Sequence, residues 1–243
     1  SFHSKMTTTV LPPKLADAKL SKPLNELVTS AKDLYKRQFG SSEEVFVACA
    51  PGRCNLIGEH TDYTGGFVMP FAIDYSTIIY GSGSVKEGAT TSMIRFVSAT
   101  APDKVEERTL DLNSKPLAED DPNVRSWTWY VLGVVAQYLP DLAENTALDV
   151  SFAVAGDVPL GSGLSSSAAL EVAVARFLEC ILGDQAFSSS DVKLPAKARA
   201  LRCQKAENVW CHSPCGIMDQ YVSSAASDGD LLLIDCTSFD FEK

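Results

Sequence analysis

Three separated stretches of this 243-residue chain gather residue types that handle phosphates and hydroxyls. The first is Pro159-Leu-Gly-Ser-Gly-Leu-Ser-Ser-Ser-Ala-Ala-Leu170. Gly161 and Gly163 allow positive φ and close backbone approach to a ligand. The serines 165–167 then fall where a helix should begin, and free N–H groups with the positive dipole end there favour an anion. That is the physics of a phosphate cradle. It is neither a Walker A loop, since no Gly-Lys-Ser/Thr follows, nor a GxGxxG dinucleotide loop. The second stretch, Arg53-Cys-Asn-Leu-Ile-Gly-Glu-His-Thr-Asp-Tyr63, crowds a permanent cation, two carboxylates and an imidazole around Gly58. Such groups hydrogen-bond a hydroxyl-rich ligand and reject analogues lacking those hydroxyls. Arg53 can also steady a transferring phosphate or an ionised carboxylate. In the third stretch, Asp219 sits in the first turns of an expected helix starting near Gly216, behind Glu207 of the preceding helix. Near an arginine, an ionised Asp219 can orient or deprotonate an attacking hydroxyl.

The elements that must hold these groups can be read from periodicity. Leu24, Leu27, Val28, Ala31, Leu34 and Tyr35 share one face of a helix over 23–39. Residues 45–50 read as a buried strand ending in a Pro51-Gly52 turn. Further strands are expected over 67–81, 92–98, 106–112, 148–155 and 231–236. Helices are expected over 126–139, from the serines to about Leu182, and over 196–210, with polar loops over 113–124 and 183–195. Strands and helices intermix without strict alternation, which favours an α+β or split βαβ architecture over a doubly wound sheet. Residues 1–22 read as a loose tail, with the stretch before Met6 an added leader, and 23–243 as one domain.

Composition narrows the function classes. A net charge of −10 repels nucleic-acid phosphates and anionic lipid. No apolar run reaches membrane-spanning length and no signal peptide heads the chain. Seven Cys, an odd number without a CxxC pair, fit thiols in a reducing, cytoplasmic setting. Cys211, His212 and Cys215 lack the further ligands of a zinc site.

Together the three stretches, in order and spacing, resemble the galactokinases of the GHMP small-molecule kinase superfamily, over about residues 24–239. Gly52 to Tyr63 looks like that family's galactose-binding signature, Pro159 to Ala169 like its ATP-phosphate motif, and Cys215 to Gln220 like the segment bearing its catalytic Asp. The resemblance implies a GHMP-kinase-type N-terminal domain (ribosomal protein S5 domain 2-like). It implies ATP-dependent phosphorylation of the anomeric hydroxyl of galactose, the first committed step of galactose catabolism. Arg53 and Asp219 would be the catalytic pair. Glu59, His60, Asp62 and Gly216 would join them in holding the sugar. Pro159, Gly161, Ser162, Gly163, Leu164, Ser165, Ser166 and Ser167 would cradle the phosphates, with Trp127 near the adenine. Ser167 and Glu207 would ligate Mg²⁺. Cys54 stands where the family usually has Val, and Trp129 where Asn is common. Family members also run on into a C-terminal half, so the resemblance implies a chain truncated before that domain. Two other readings keep the same scaffold: a non-catalytic regulator responding to galactose and ATP, and an N-acetylgalactosamine kinase.

Overall fold

The computed structural model describes residues 22–123, 126–187 and 195–243; most of the expected tail and residues 188–194 of the expected 183–195 loop lie outside them. Helix α1 (Lys22–Phe39) is followed by strands β1 (Phe46–Asn55), β2 (Phe67–Val68), β3 (Pro70–Glu87), β4 (Ser92–Ser98) and β5 (Ala101–Leu110). Then come α2 (Thr128–Tyr138), β6 (Thr146–Gly156), α3 (Ser166–Leu182), α4 (Pro195–Trp210), α5 (Met218–Ala225), β7 (Leu233–Asp235) and β8 (Asp240–Glu242). Five strands form one sheet in the order β1-β3-β6-β4-β5. Only β4 and β6 run parallel; the other pairs are antiparallel. This is the mixed α+β arrangement expected.

Side chains alternate across a strand, so each strand can serve two cores. On β6, Val150, Phe152 and Val154 face α2, α3 and α4, whereas Ala153 and Ala155 face α1. On β1, Ala48 and Ala50 join the first group and Cys49 the second. Phe96 and Phe152 stack at 5.5 Å, and Phe177 of α3 leans on Phe152 at 5.2 Å. Each of these fully buried rings contributes about 2 kcal/mol of burial energy. Small residues at 168, 169, 173 and 175 are fully buried and bring α3 close to its neighbours. The helix therefore runs through the middle of the molecule, against β1, β3, α2, α4 and α5. A third core joins Ile217, which precedes α5, and Met218, Tyr221 and Val222 of α5 to Val68, Leu232 and Ile234 at the small β2-β7-β8 sheet. These two anchorages fix where the N-termini of α3 and α5 point.

Several boundaries differ from expectation. Pro51-Gly52 is not a turn: β1 continues to Asn55 through a bulge, with Pro51 opposite Ser76 and Arg53 opposite Ala72. A bulge in an edge strand is where a residue without an N–H fits a sheet. The strand expected over 67–81 is two strands, the second reaching Glu87. The strand expected at 106–112 starts earlier, at Ala101, because its outward face is solvated and only Glu106 and Leu110 are buried. The strand expected over 231–236 shortens to Leu233–Asp235, with Leu231 making only an isolated bridge to Phe71. It gains β8 as an antiparallel partner.

Candidate active site

The bulge in β1 aims Arg53 at the 159–165 loop. A Cβ on Gly52 would lie 2.7 Å from the Leu164 carbonyl oxygen, so only glycine allows this approach. The Arg53 N–H donates to that same carbonyl at 3.2 Å. The Arg53 side chain, joined across 166 residues of chain, grips Asp219: Nε donates to Oδ1 at 2.7 Å and Nη2 to Oδ2 at 2.8 Å. Such a two-pronged pair holds both planes in one orientation. Nη1 donates to the Gly163 carbonyl at 2.6 Å.

The loop itself is pinned at its start. Asp157 accepts from the Ser76 N–H at 2.7 Å and donates its own N–H to the Ser76 carbonyl at 3.1 Å. Gly161 and Gly163 then take φ of 68° and 75°, and the Ser162 hydroxyl donates to the Pro159 carbonyl at 2.7 Å. Ser165, at φ 59°, leads into α3 and donates its hydroxyl to Asp219 Oδ2 at 2.5 Å. Arg53, Pro159, Gly161 to Ser167 and Asp219 line one open cleft of about 220 Å³. The expected cradle and the expected catalytic pair thus meet in one place.

Asp62 stands in a 3-10 turn over Asp62–Thr64 and reaches the flank of this pair. Burial first, and the Asp219 charge second, hold its carboxyl above the ordinary carboxylate range. Its Oδ2 lies only 2.0 Å from where a Cβ on Gly216 would be, so Gly216 serves by leaving room for Asp62. Asn55 Nδ2 donates to Glu59 Oε1 at 3.0 Å. Glu59 and His60 are exposed on the same turn, with His60 at φ 63°. Trp127 does not line the cleft; its ring lies edge-on to Phe96 at 5.3 Å, against the main core.

Behind Asp219 lies a buried polar cluster. Gln220 Nε2 donates to Glu207 Oε2 at 2.6 Å and to Glu171 Oε2 at 3.1 Å. Burial pushes the Glu207 carboxyl up, while hydrogen bonds from Glu171 and Ser167 pull it down. Burial, then the Glu207 charge, push Glu171 well up. Glu171 and Gln220 were not foreseen from sequence. The available signal was a carboxylate inside the apolar run Ala168-Ala-Leu-Glu-Val-Ala-Val174, where a charge needs a buried partner.

Known proteins match the chain over these same stretches. The family model for the galactokinase galactose-binding signature matches residues 33–82. The model for the GHMP kinases N terminal domain matches residues 130–227. Human galactokinase is 39% identical over 215 residues, covering 88% of this chain and 50% of the relative. Galactokinase from Actinobacillus succinogenes is 40% identical over 213 residues, covering 87% and 50%. The chain thus spans about half the length of these curated relatives. The crystal structure of Lactococcus lactis galactokinase complexed with galactose superposes with a TM-score of 0.66 at 26% identity, covering 89% of this chain and 51% of that one. Mevalonate kinase from Methanococcus jannaschii shares the fold alone, at a TM-score of 0.53 and 20% identity over 81% of this chain and 55% of that one. By sequence and by fold, the chain carries the GHMP-kinase N-terminal domain joined to the galactose-binding signature of the galactokinases.

Proposed function

We propose that this chain is the catalytic part of an ATP-dependent kinase that phosphorylates the anomeric hydroxyl of galactose. The observation that carries the reading is the two-pronged Arg53–Asp219 pair at the mouth of the Gly161–Ser167 cradle. In this reading the cradle's N–H groups and the start of α3 hold the ATP phosphates. The anomeric oxygen attacks the γ-phosphorus, its proton passes to Asp219, and the bond to the ADP oxygen breaks with its electron pair leaving on ADP. Arg53 orients the carboxylate and has N–H groups left over for charge on the transferring phosphate. Asp62, Glu59, His60 and the backbone at Gly216 hold the sugar hydroxyls.

The residues present also suit Mg²⁺. Ser167 and Glu207 offer hard oxygens, beside a buried Glu171 Oε1 that has no partner. Among the described residues no three His, Cys, Asp or Glu side chains converge as a cage. An ion here would rely on nucleotide phosphates and water for its other ligands, as Mg²⁺ commonly does. When bound, it neutralises charge on the phosphates. All seven cysteines are free thiols, which suits the cytoplasm.

The test is ADP release by the full-length gene product with ATP, Mg²⁺ and a panel of galactose, N-acetylgalactosamine and glucose. Galactose should be the substrate, and Asp219→Ala should lower turnover by at least about 10³-fold. Unchanged turnover in Asp219→Ala would overturn the mechanism. Tight binding of both ligands without ADP would point to a regulator, and preference for N-acetylgalactosamine would change the substrate.

A further inference from the structure

Ser165 breaks the rule for its position. The residue before a helix normally has extended backbone, and its side-chain oxygen accepts an N–H of the first turn. Ser165 instead takes φ 59° and ψ 52°, and its side chain caps nothing. A left-handed backbone costs a serine on the order of 1–2 kcal/mol, which glycine would avoid. Glycine takes positive φ at 161 and 163, four and two residues earlier in the same loop. What a serine supplies at 165 is the hydroxyl, and that hydroxyl is committed to Asp219 Oδ2 at 2.5 Å.

The acceptor count at Asp219 gives this bond a consequence. A carboxylate oxygen offers two lone-pair directions. Oδ2 takes donors from Ser165 Oγ and Arg53 Nη2, so both are filled. Oδ1 takes one, from Arg53 Nε. The loop that holds Ser165 also touches the pair through the Gly163 and Leu164 carbonyls, at 2.6 and 3.2 Å from Arg53 donors. Three consecutive loop residues therefore set the carboxylate's position relative to the cradle.

We propose that Ser165 is a positioning residue for the proton transfer: by filling Oδ2 it leaves Oδ1 as the oxygen that receives the sugar proton, in a register fixed by the phosphate loop. This rests on the proposed role of Asp219. The O–H bond of the sugar breaks toward Oδ1 as the O–P bond forms, and the Ser165 proton stays on Ser165 throughout. A carboxylate freed to rotate would present the wrong oxygen part of the time, and small misplacements of a reacting group are costly in rate.

The experiment compares Ser165→Gly and Ser165→Ala with the parent in the full-length gene product. Both should lower kcat by about 10- to 100-fold, with KM for ATP and for galactose changed less than about 3-fold. Ser165→Gly retains the left-handed backbone without strain, so its melting temperature should match or exceed the parent's while its kcat still falls. That split separates the hydroxyl from the shape of the loop. Adding Ser165→Gly to Asp219→Asn should cost little more than Asp219→Asn alone, since both act through one carboxylate. Parental kcat in Ser165→Gly overturns the inference, as does a rise in KM for ATP with kcat unchanged, which would make Ser165 a phosphate contact only. Asp219→Ala assayed in parallel keeps the failures apart. Turnover retained there sinks the proposed function itself, whereas an inactive Asp219→Ala beside an active Ser165→Gly sinks only the role of Ser165.

Discussion

Among the described residues, two arginine–carboxylate pairs are gripped in the same way, through Nε and Nη2, in different surroundings. Arg199 of α4 meets Glu179 of α3 through Nε to Oε1 at 2.8 Å and Nη2 to Oε2 at 2.5 Å. Arg53 meets Asp219 in the same two-pronged way. The side chains of the first pair are 10% and 14% exposed, those of the second 14% and 27%. The first is closed in by fixed donors and acceptors on helices: Tyr138 donates to Glu179 at 2.7 Å, and Arg199 donates to the Ser224 hydroxyl at 2.9 Å. The second is held by loop carbonyls, a strained serine and an open cleft. Their third neighbours carry opposite charge. Arg176 stands beside Arg199, and burial, then the Arg199 charge, pull it down to about 10. Asp62 stands beside Asp219. Ion-pair geometry by itself therefore does not single out the candidate site; open space and loop-borne partners set it apart.

Removing one partner from each pair should separate these roles. Glu179→Ala leaves Arg199 and Arg176 buried together without their anion, and should cost about 3–5 kcal/mol of stability, read as a urea midpoint shift. Turnover per folded molecule should hardly change. Arg53→Ala should lower turnover by about 10²- to 10³-fold, with a much smaller change in the midpoint. If Glu179→Ala inactivates without unfolding, or Arg53→Ala unfolds the chain, the contrast between the pairs is wrong.

The same contrast explains what could be read in the sequence. Arg53, Asp219 and the Gly161–Ser167 loop were legible because their types are unusual where they stand: a cation after a buried strand, an acid beside Ile217 and Met218, and glycines between a strand and a helix. The structural pair was silent, since Arg199 and Glu179 look like ordinary helix-surface charges until their helices pack. Pro51-Gly52 misled because one dipeptide serves a turn and a bulge equally well, and only the Leu164 carbonyl pressed against Gly52 decides between them. The aim of the Ser165 hydroxyl was invisible for a related reason: a serine before a helix ordinarily signals a cap.

A smaller effect tests the proposed sugar side of the Arg53–Asp219 pair. A Cβ on Gly216 meets Asp62 Oδ2 at 2.0 Å, so Gly216→Ala must displace that carboxylate. Loss of one hydrogen bond to a charged group is worth about 1.5–3 kcal/mol, so galactose affinity should fall about 10- to 100-fold while KM for ATP is kept. Unchanged galactose affinity would mean that Asp62 does not touch the sugar.

The smallest effect concerns the extra anion itself. Burial and the Asp219 charge raise the Asp62 carboxyl above its ordinary value of 3.8, and the Arg53 charge opposes them only weakly. The folded chain therefore binds this proton more tightly than the unfolded chain does. The stability it contributes is present in full below 3.8 and is lost as pH rises through the raised folded value. Asp62→Asn cannot ionise, so its stability should decline less than the parent's across that window, and its urea midpoint at pH 7 should equal or exceed the parent's. The Arg199–Glu179 pair, flanked by a cation, offers no such gain from neutralising a neighbouring acid. A steeper decline in Asp62→Asn would show that ionised Asp62 is welcomed by Arg53 rather than crowded by Asp219, and the two pairs would then differ in exposure but not in flanking charge.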